Sequence, residues 1–218
     1  MTASLTAKTK RIFDEYVEKY PFLKDISNEL ILAFNTIDNA YKNGKKLLIC
    51  GNGGSFADAE HIVGELGKKF CIDRPLSDDK KRKLNELGET GRYLSEKLQG
   101  SLRAINLGAH QSLMTAVAND TDVKIAYAQQ LSVFGDEGDA LLAISTSGNS
   151  ENIRLAVTAA KGFGITTIAL TGKDGGKLLG ESDLCIRVPE ERVYFVQEKH
   201  IIVYHLICAM LEAERWGK

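Results

Sequence analysis

Residues Ser145-Thr146-Ser147-Gly148-Asn149-Ser150 follow the apolar run Ala140–Ile144 and precede a stretch with helical periodicity, so four hydroxyls and a glycine share one strand-to-helix turn. Such a turn suits a phosphate. A helix N-terminus presents unpaired backbone N–H groups and the positive end of the macrodipole, and the hydroxyls can wrap the remaining oxygens. The same residues also serve a plainer purpose, with Ser150 capping the helix and the other hydroxyls closing local turns. A second turn of the same kind, Gly51-Asn52-Gly53-Gly54-Ser55, follows the strand-like Lys46–Cys50 and opens a helix with Ser55 and Asp58 in capping-box spacing. It is not a dinucleotide fingerprint, because the third glycine position falls on Phe56. Nor is Gly172–Lys177 a nucleotide P-loop: it is one residue short, and Leu178 stands where Ser or Thr is required.

Metal and acid–base chemistry has a short list of candidates, since the chain holds only 4 histidines. His61 and Glu65 are i, i+4 on the helix opened by the glycine turn, which puts an imidazole and a carboxylate on one face, within reach of a shared metal or substrate. A surface hydrogen bond uses the same spacing. Gln197 and His205 lie eight residues apart on the last helix. That is about 80° around the axis and about 12 Å along it, so joint ligation of one ion requires irregularity, long reach or another subunit. His205, flanked by Val203-Tyr204 and Leu206-Ile207, also reads as a core histidine, and His110 and His200 read as structural or surface residues.

The elements that must position these groups alternate. The pattern predicts helices at about 4–20, 27–43, 55–69, 111–118, 122–133, 150–163, 174–180 and 194–216, with strands at 46–50, 102–107, 139–144, 165–170 and 183–188. Strands separated by crossover helices specify an α/β fold with a doubly wound, mostly parallel sheet flanked by helices, preceded by an N-terminal helical pair. Ligands of such sheets collect at the carboxyl ends of strands, where both turns fall. At 218 residues the chain is read as one domain, 1–218, with a charged insertion at 73–100 that is a solvated helical excursion or, alternatively, a substrate lid.

Composition narrows the partners. A formal charge of -1 and a pI of about 6.4 give no basic face for nucleic acid. No apolar run approaches the roughly 20 residues of a membrane span, and Thr2–Arg11 lacks a signal-peptide core, so a cytoplasmic location is expected. Cysteines 50, 71, 185 and 208 show no C-x-x-C spacing and read as reduced core residues, Cys71 least clearly.

Taken together, Gly51–Ser55, His61 with Glu65, Asn119-Asp120, Ser145–Ser150, the turn Leu170–Gly176 and Gln197 with His205 resemble the sugar isomerase (SIS) domain family over nearly the whole chain outside the insertion. The resemblance implies a homotetramer with interfacial active sites, each holding one Zn2+ through His61, Glu65, Gln197 and His205. It further implies that Ser145, Thr146, Ser147 and Ser150 hold a substrate phosphate, that Asn52, Gly53, Gly54, Ser55, Asn119 and Asp120 line the sugar, with Glu65 and Gln197 also facing it, and that residues 1–44 build the subunit bundle. The stripe Ile12, Tyr16, Tyr20, Ile31 and Phe34 in that pair is equally what a core-facing helix shows. The implied reaction is ketose–aldose isomerisation of sedoheptulose 7-phosphate to D-glycero-D-manno-heptose 7-phosphate through an enediol, for cell-surface heptose synthesis. Glu65 is then the base for carbon and His205 for the oxygens. Two departures, Phe56 after Ser55 and a long segment between Glu65 and Asn119, leave room for a different phosphosugar. A non-catalytic SIS tetramer that binds a replication-initiator protein is the alternative from another class.

Overall fold

The computed structural model describes residues 5–217. In chain order the elements are α1 (Ala7–Lys19), α2 (Ser27–Lys42), β1 (Leu47–Gly51), α3 (Gly54–Gly67), α4 (Asp78–Asn85), α5 (Glu89–Lys97), β2 (Ala104–Asn106), α6 (Gln111–Asp120), α7 (Ala126–Phe134), β3 (Ala140–Ile144), α8 (Glu151–Gly162), β4 (Thr166–Thr171), α9 (Leu178–Glu181), β5 (Leu184–Arg187) and α10 (Val193–Trp216). Short 3-10 turns occupy Pro21–Ile26 and Val123–Ile125. Residue 4, the expected start of the first helix, and Thr2–Ser4 lie outside the described residues.

All strand pairs are parallel, and the order is β2-β1-β3-β4-β5. The strands alternate side chains between two cores, as a period of two requires. Leu47, Ile49, Leu142, Ile144, Ile168 and Leu170 enter the core under α1, α2, α3 and α10, whereas Leu48, Cys50, Leu141, Ala143 and Ala169 enter the core on the opposite face with α7 and α8. Helices on both faces explain why β1 and β3 are apolar throughout rather than alternating with polar residues. The strand order reverses between β1 and β3, where Gly51 pairs with Ile144. The two glycine/serine turns that follow these strands therefore stand side by side at the switch point, the place where an open α/β sheet holds its ligand.

Three expectations need correction. The helix at the glycine turn starts at Gly54 with Gly53 as its cap residue and no side-chain cap, so Ser55 and Asp58 form no capping box. Gly53 has φ of 56°, a left-handed turn that starts the helix earlier than a serine cap would. The helix expected at 174–180 begins only at Leu178, because Gly175 and Gly176 have φ of 72° and 54° and cannot lie in a right-handed helix. Cys71 is exposed, unlike the buried Cys50, Cys185 and Cys208.

The insertion is a helical hairpin in which α4 and α5 pack principally on each other, closed at its base by a bridge between Pro75 and Gln99. Its root is fixed by an ion pair at zero exposure: Arg74 Nε donates to Glu212 Oε1 at 2.6 Å. Glu212 also accepts the backbone N–H groups of Phe70, Cys71 and Ile72, and Arg74 donates to the carbonyls of Glu65 and Leu66, which end α3. In the N-terminal pair, Phe34 is buried, and Ile12, Tyr16, Tyr20 and Ile31 pack partly buried against the same core.

Candidate active site

The turn after β3 holds its shape with its own polar groups. Ser145, 4% exposed, donates its hydroxyl to Ser150 Oγ at 3.2 Å, and its carbonyl accepts Gly148 N–H at 3.0 Å. Ser150 takes the cap position of α8 without making a side-chain cap bond, which leaves the first N–H groups of that helix unclaimed by it. Ser147 is exposed and accepts the Asn149 N–H at 3.2 Å. The turn rests on the one after β4: Gly172 N–H donates to Thr146 carbonyl, and Lys177 N–H donates to Asn149 Oδ1. Gly148 sits at φ 64° against the backbone of Gly175 and Gly176, so any side chain there would be strained and would collide with both. Between these turns lies a cavity of about 280 Å³ lined by Thr146, Ser147, Gly172 and Lys173 among others.

The turn after β1 meets this one directly. The Asn52 and Asn152 side-chain amides donate to each other's oxygens, each bond at 2.9 Å, tying the head of α3 to the first turn of α8. Phe56 lies against Gly108 in the loop after β2, where a Cβ would strike its ring, so its role is packing. Gly54 is equally constrained, because a Cβ there would collide with the Gln197 amide.

Farther along α3, the i, i+4 pair meets α10. His61 Nε2 stands 3.1 Å from Glu65 Oε1 and 3.4 Å from His205 Nε2, and one donor atom from each of the three residues falls within 4.8 Å of the others. An imidazole, a carboxylate and a second imidazole converging in this way form a donor set suited to zinc. Burial lowers the pKa of His205, assisted by the neighbouring His61 and opposed by Glu65, which favours the neutral imidazole that a ligand or base requires. Burial likewise raises the Asp58 carboxyl, opposed by its bond from Tyr204.

Not every expected residue joins this cluster. The Gln197 side chain lies beside Gly54, seven residues before His61 on the same helix and so about 10 Å away by helix rise. Asn119 and Asp120 are exposed at the end of α6, where the Asn119 amide donates to Asp120 Oδ1 at 2.7 Å. Four residues not singled out from the sequence for the site surround it: Tyr204 and Asp58 beside His61, Asn152 opposite Asn52, and Arg74 beneath the end of α3. The i, i+3 spacing of Asp58 and His61 was the one available signal for them.

Comparison with known proteins matches two SIS domain family profiles, one over residues 117–213 and one over 19–80. A phosphoheptose isomerase of Clostridium acetobutylicum is 39% identical over 217 residues, covering 99% of this chain and 93% of that protein. Phosphoheptose isomerase 2 of Campylobacter jejuni is 37% identical over 94% of this chain and 90% of its own length. Among solved structures, the phosphoheptose isomerase of Neisseria gonorrhoeae superposes with a TM-score of 0.72 at 31% identity, covering 92% of this chain and 95% of that one. The enzyme from Francisella tularensis superposes with the same TM-score, 0.72, at 30% identity over 94% of this chain and 96% of its own.

Proposed function

This chain belongs to the SIS domain family, among its phosphoheptose isomerases, and on that premise we propose that it is a zinc-dependent isomerase whose metal and acid–base groups are His61, Glu65 and His205. It interconverts sedoheptulose 7-phosphate and D-glycero-D-manno-heptose 7-phosphate for heptose synthesis. The observation that carries the metal and base assignment is the convergence of three donor atoms within 4.8 Å. A scaffold that only binds a protein partner has no use for such a cluster.

In this reading Ser145, Thr146, Ser147 and Ser150 hold the phosphate with the N–H groups that open α8. Asn52, Gly53, Gly54, Ser55 and Gln197, at the head of α3, line the sugar, with Asn119 and Asp120 completing the wall. A seven-carbon sugar places its reacting end far from its phosphate, and the first two turns of α3 separate the glycine turn from His61 by about 10 Å. Glu65 takes the proton from C1 of the ketose and returns it to C2, while His205 moves the hydroxyl proton from O1 to O2, so the product differs from the substrate only in the placement of two hydrogens. His61, Glu65 and His205 would hold the zinc, which would supply charge stabilisation for the developing oxyanion. Gln197 is the fourth donor of the set, brought in by a neighbouring subunit or by its own movement. Residues 1–44 contribute to a homotetramer, residues 73–100 are an insertion in a single SIS domain, and the enzyme works in the cytoplasm. No helix among the described residues is long and apolar enough to cross a membrane.

Purified protein followed by NMR for turnover of sedoheptulose 7-phosphate, before and after chelation and after zinc is restored, tests the proposal. Turnover lost on chelation and regained with zinc is expected. Turnover indifferent to chelation in metal-free protein removes the zinc and keeps the isomerase.

A further inference from the structure

Tyr204, on α10 next to His205, is 1% exposed, and its hydroxyl reaches two groups on α3. It lies 2.9 Å from His61 Nδ1 and 3.3 Å from Asp58 Oδ1. A phenol has one proton to donate and can also accept. The carboxylate has the stronger claim on that proton, because hydrogen bonds to an ionised acceptor are the stronger ones. Asp58 Oδ2 is buried without a partner, so Tyr204 is the side chain that satisfies this carboxylate among the described residues. With its proton committed to Asp58, the phenol oxygen accepts from a proton on His61 Nδ1. The competing form, in which Nε2–H donates to Glu65 and Tyr204 donates to Nδ1, would leave the Asp58 carboxylate without its donor, whereas Glu65 also lies near Lys68.

The order of donors then fixes the other nitrogen. A neutral imidazole protonated at Nδ1 carries a bare lone pair at Nε2, the atom 3.1 Å from Glu65 Oε1 and 3.4 Å from His205 Nε2. The rings of His61 and Tyr204 meet edge to face, with centroids 5.5 Å apart at 74°, which restricts rotation of the imidazole. We infer that Asp58 and Tyr204 are positioning residues: they hold His61 as its Nδ1–H tautomer and aim Nε2 into the Glu65–His205 cluster as a ready donor for a divalent cation. The consequence for the cation rests on the metal site proposed above, whereas the order of hydrogen bonds does not. Partners of this type, on the far side of a ligating histidine, commonly change metal affinity about 10- to 100-fold.

Two measurements on the full-length protein separate the relay from the metal site. Long-range 15N–1H correlation of the histidine rings in metal-free protein is expected to show His61 protonated at Nδ1. In Tyr204→Phe the ring should shift toward the Nε2–H form, which can donate to Glu65. Asp58→Asn retains an oxygen for Tyr204 but loses the charge that commits its proton, so its ring should shift only part of the way toward the Nε2–H form. Zinc affinity measured by competition with a chromophoric chelator should fall about 10- to 100-fold in Tyr204→Phe, about tenfold in Asp58→Ala and no more than about threefold in Asp58→Asn. If Tyr204→Phe does not fold, Asp58→Ala supplies both readings. An Nε2–H ring in the wild type overturns the inference, and so does Tyr204→Phe with unchanged tautomer and zinc affinity. Wild-type protein that shows the Nδ1–H ring but takes up no zinc upholds the relay and overturns the metal site.

Discussion

The serine turn and the histidine–glutamate cluster are assembled in opposite ways. Ser145 to Ser150 are contiguous, and their geometry is local: a strand end, one glycine at positive φ and the start of α8 shape the turn. The cluster joins residues 144 apart in the chain, and it exists only while α3 and α10 stay packed. A turn shaped by backbone is thus fixed by secondary structure, whereas a donor cluster made from side chains depends on the tertiary contacts around it. Removing cluster residues should therefore abolish chemistry and spare phosphate binding, and disturbing the support of α3 should affect the cluster first.

The sharpest break between the two regions is Glu65→Gln, expected to lower kcat by about 10³-fold, the range typical of a lost general base. Binding of inorganic phosphate, measured by calorimetry, should be unchanged, and a parallel loss of both would show that the regions are not separable. Next comes Arg74→Leu, which leaves Glu212 charged at zero exposure and takes a donor from the carbonyls of Glu65 and Leu66, the latter keeping only the Leu102 N–H. Breaking a buried pair in this way costs about 3–5 kcal/mol, to be read from denaturant unfolding. A loss below 1 kcal/mol would mean that the knot does not hold α3. Ser145→Ala combined with Ser147→Ala removes two donors to a charged oxygen and should raise KM for the phosphoketose by about 10- to 100-fold, with kcat much less affected. An unchanged KM would place the phosphate elsewhere.

This contrast also decides what could be read from the sequence. The apolar runs before both turns and the crossover helices between strands were visible, because strand and helix periods are local, and the parallel sheet follows from them. The serine turn was visible for the same reason. His61 with Glu65 showed as a pair, but its meeting with His205 could not be deduced from either helix alone. Helix rise did separate Gln197 from His205, and Gln197 does sit apart, against Gly54. Arg74 and Glu212 were illegible: charged residues are expected at the surface, and only the fold shows that these two are enclosed together. Tyr204 looked like one more apolar position of α10, since its hydroxyl finds His61 and Asp58 only across the helix interface.

His200 gives a smaller effect that reports on α10 alone. Burial pushes its pKa down to about 4 from an ordinary 6.5. Between these values the unfolded chain binds a proton that the folded chain refuses, so stability from this residue is complete above about pH 6.5 and declines as the pH falls toward 4, by at most about 1.4 kcal/mol per pH unit. His200→Gln should flatten that part of the curve, measured by urea unfolding from pH 7 to 4. An unchanged slope would assign the acid sensitivity to other groups.

The smallest effect tests whether the two regions are independent at all. Asn52 leads into α3 and Asn152 lies in the first turn of α8, and their reciprocal amide bonds, 2.9 Å each, join the helix that carries His61 and Glu65 to the helix opened by the serine turn. Asn152 belongs to neither the cluster nor the hydroxyl set, and its oxygen is further held by the Ile153 N–H at 3.0 Å. Hydrogen bonds of this exposed kind contribute about 1 kcal/mol, so Asn152→Ala should raise KM by about fivefold. A double-mutant cycle with Asn52→Ala distinguishes two cases. If each variant acts through the shared pair, the double variant should be little worse than either single one, which means the amide bridge sets the spacing between the serine turn and the cluster helix. If the losses add in full, each asparagine works alone, and the two regions are held in register by the β1–β3 pairing itself.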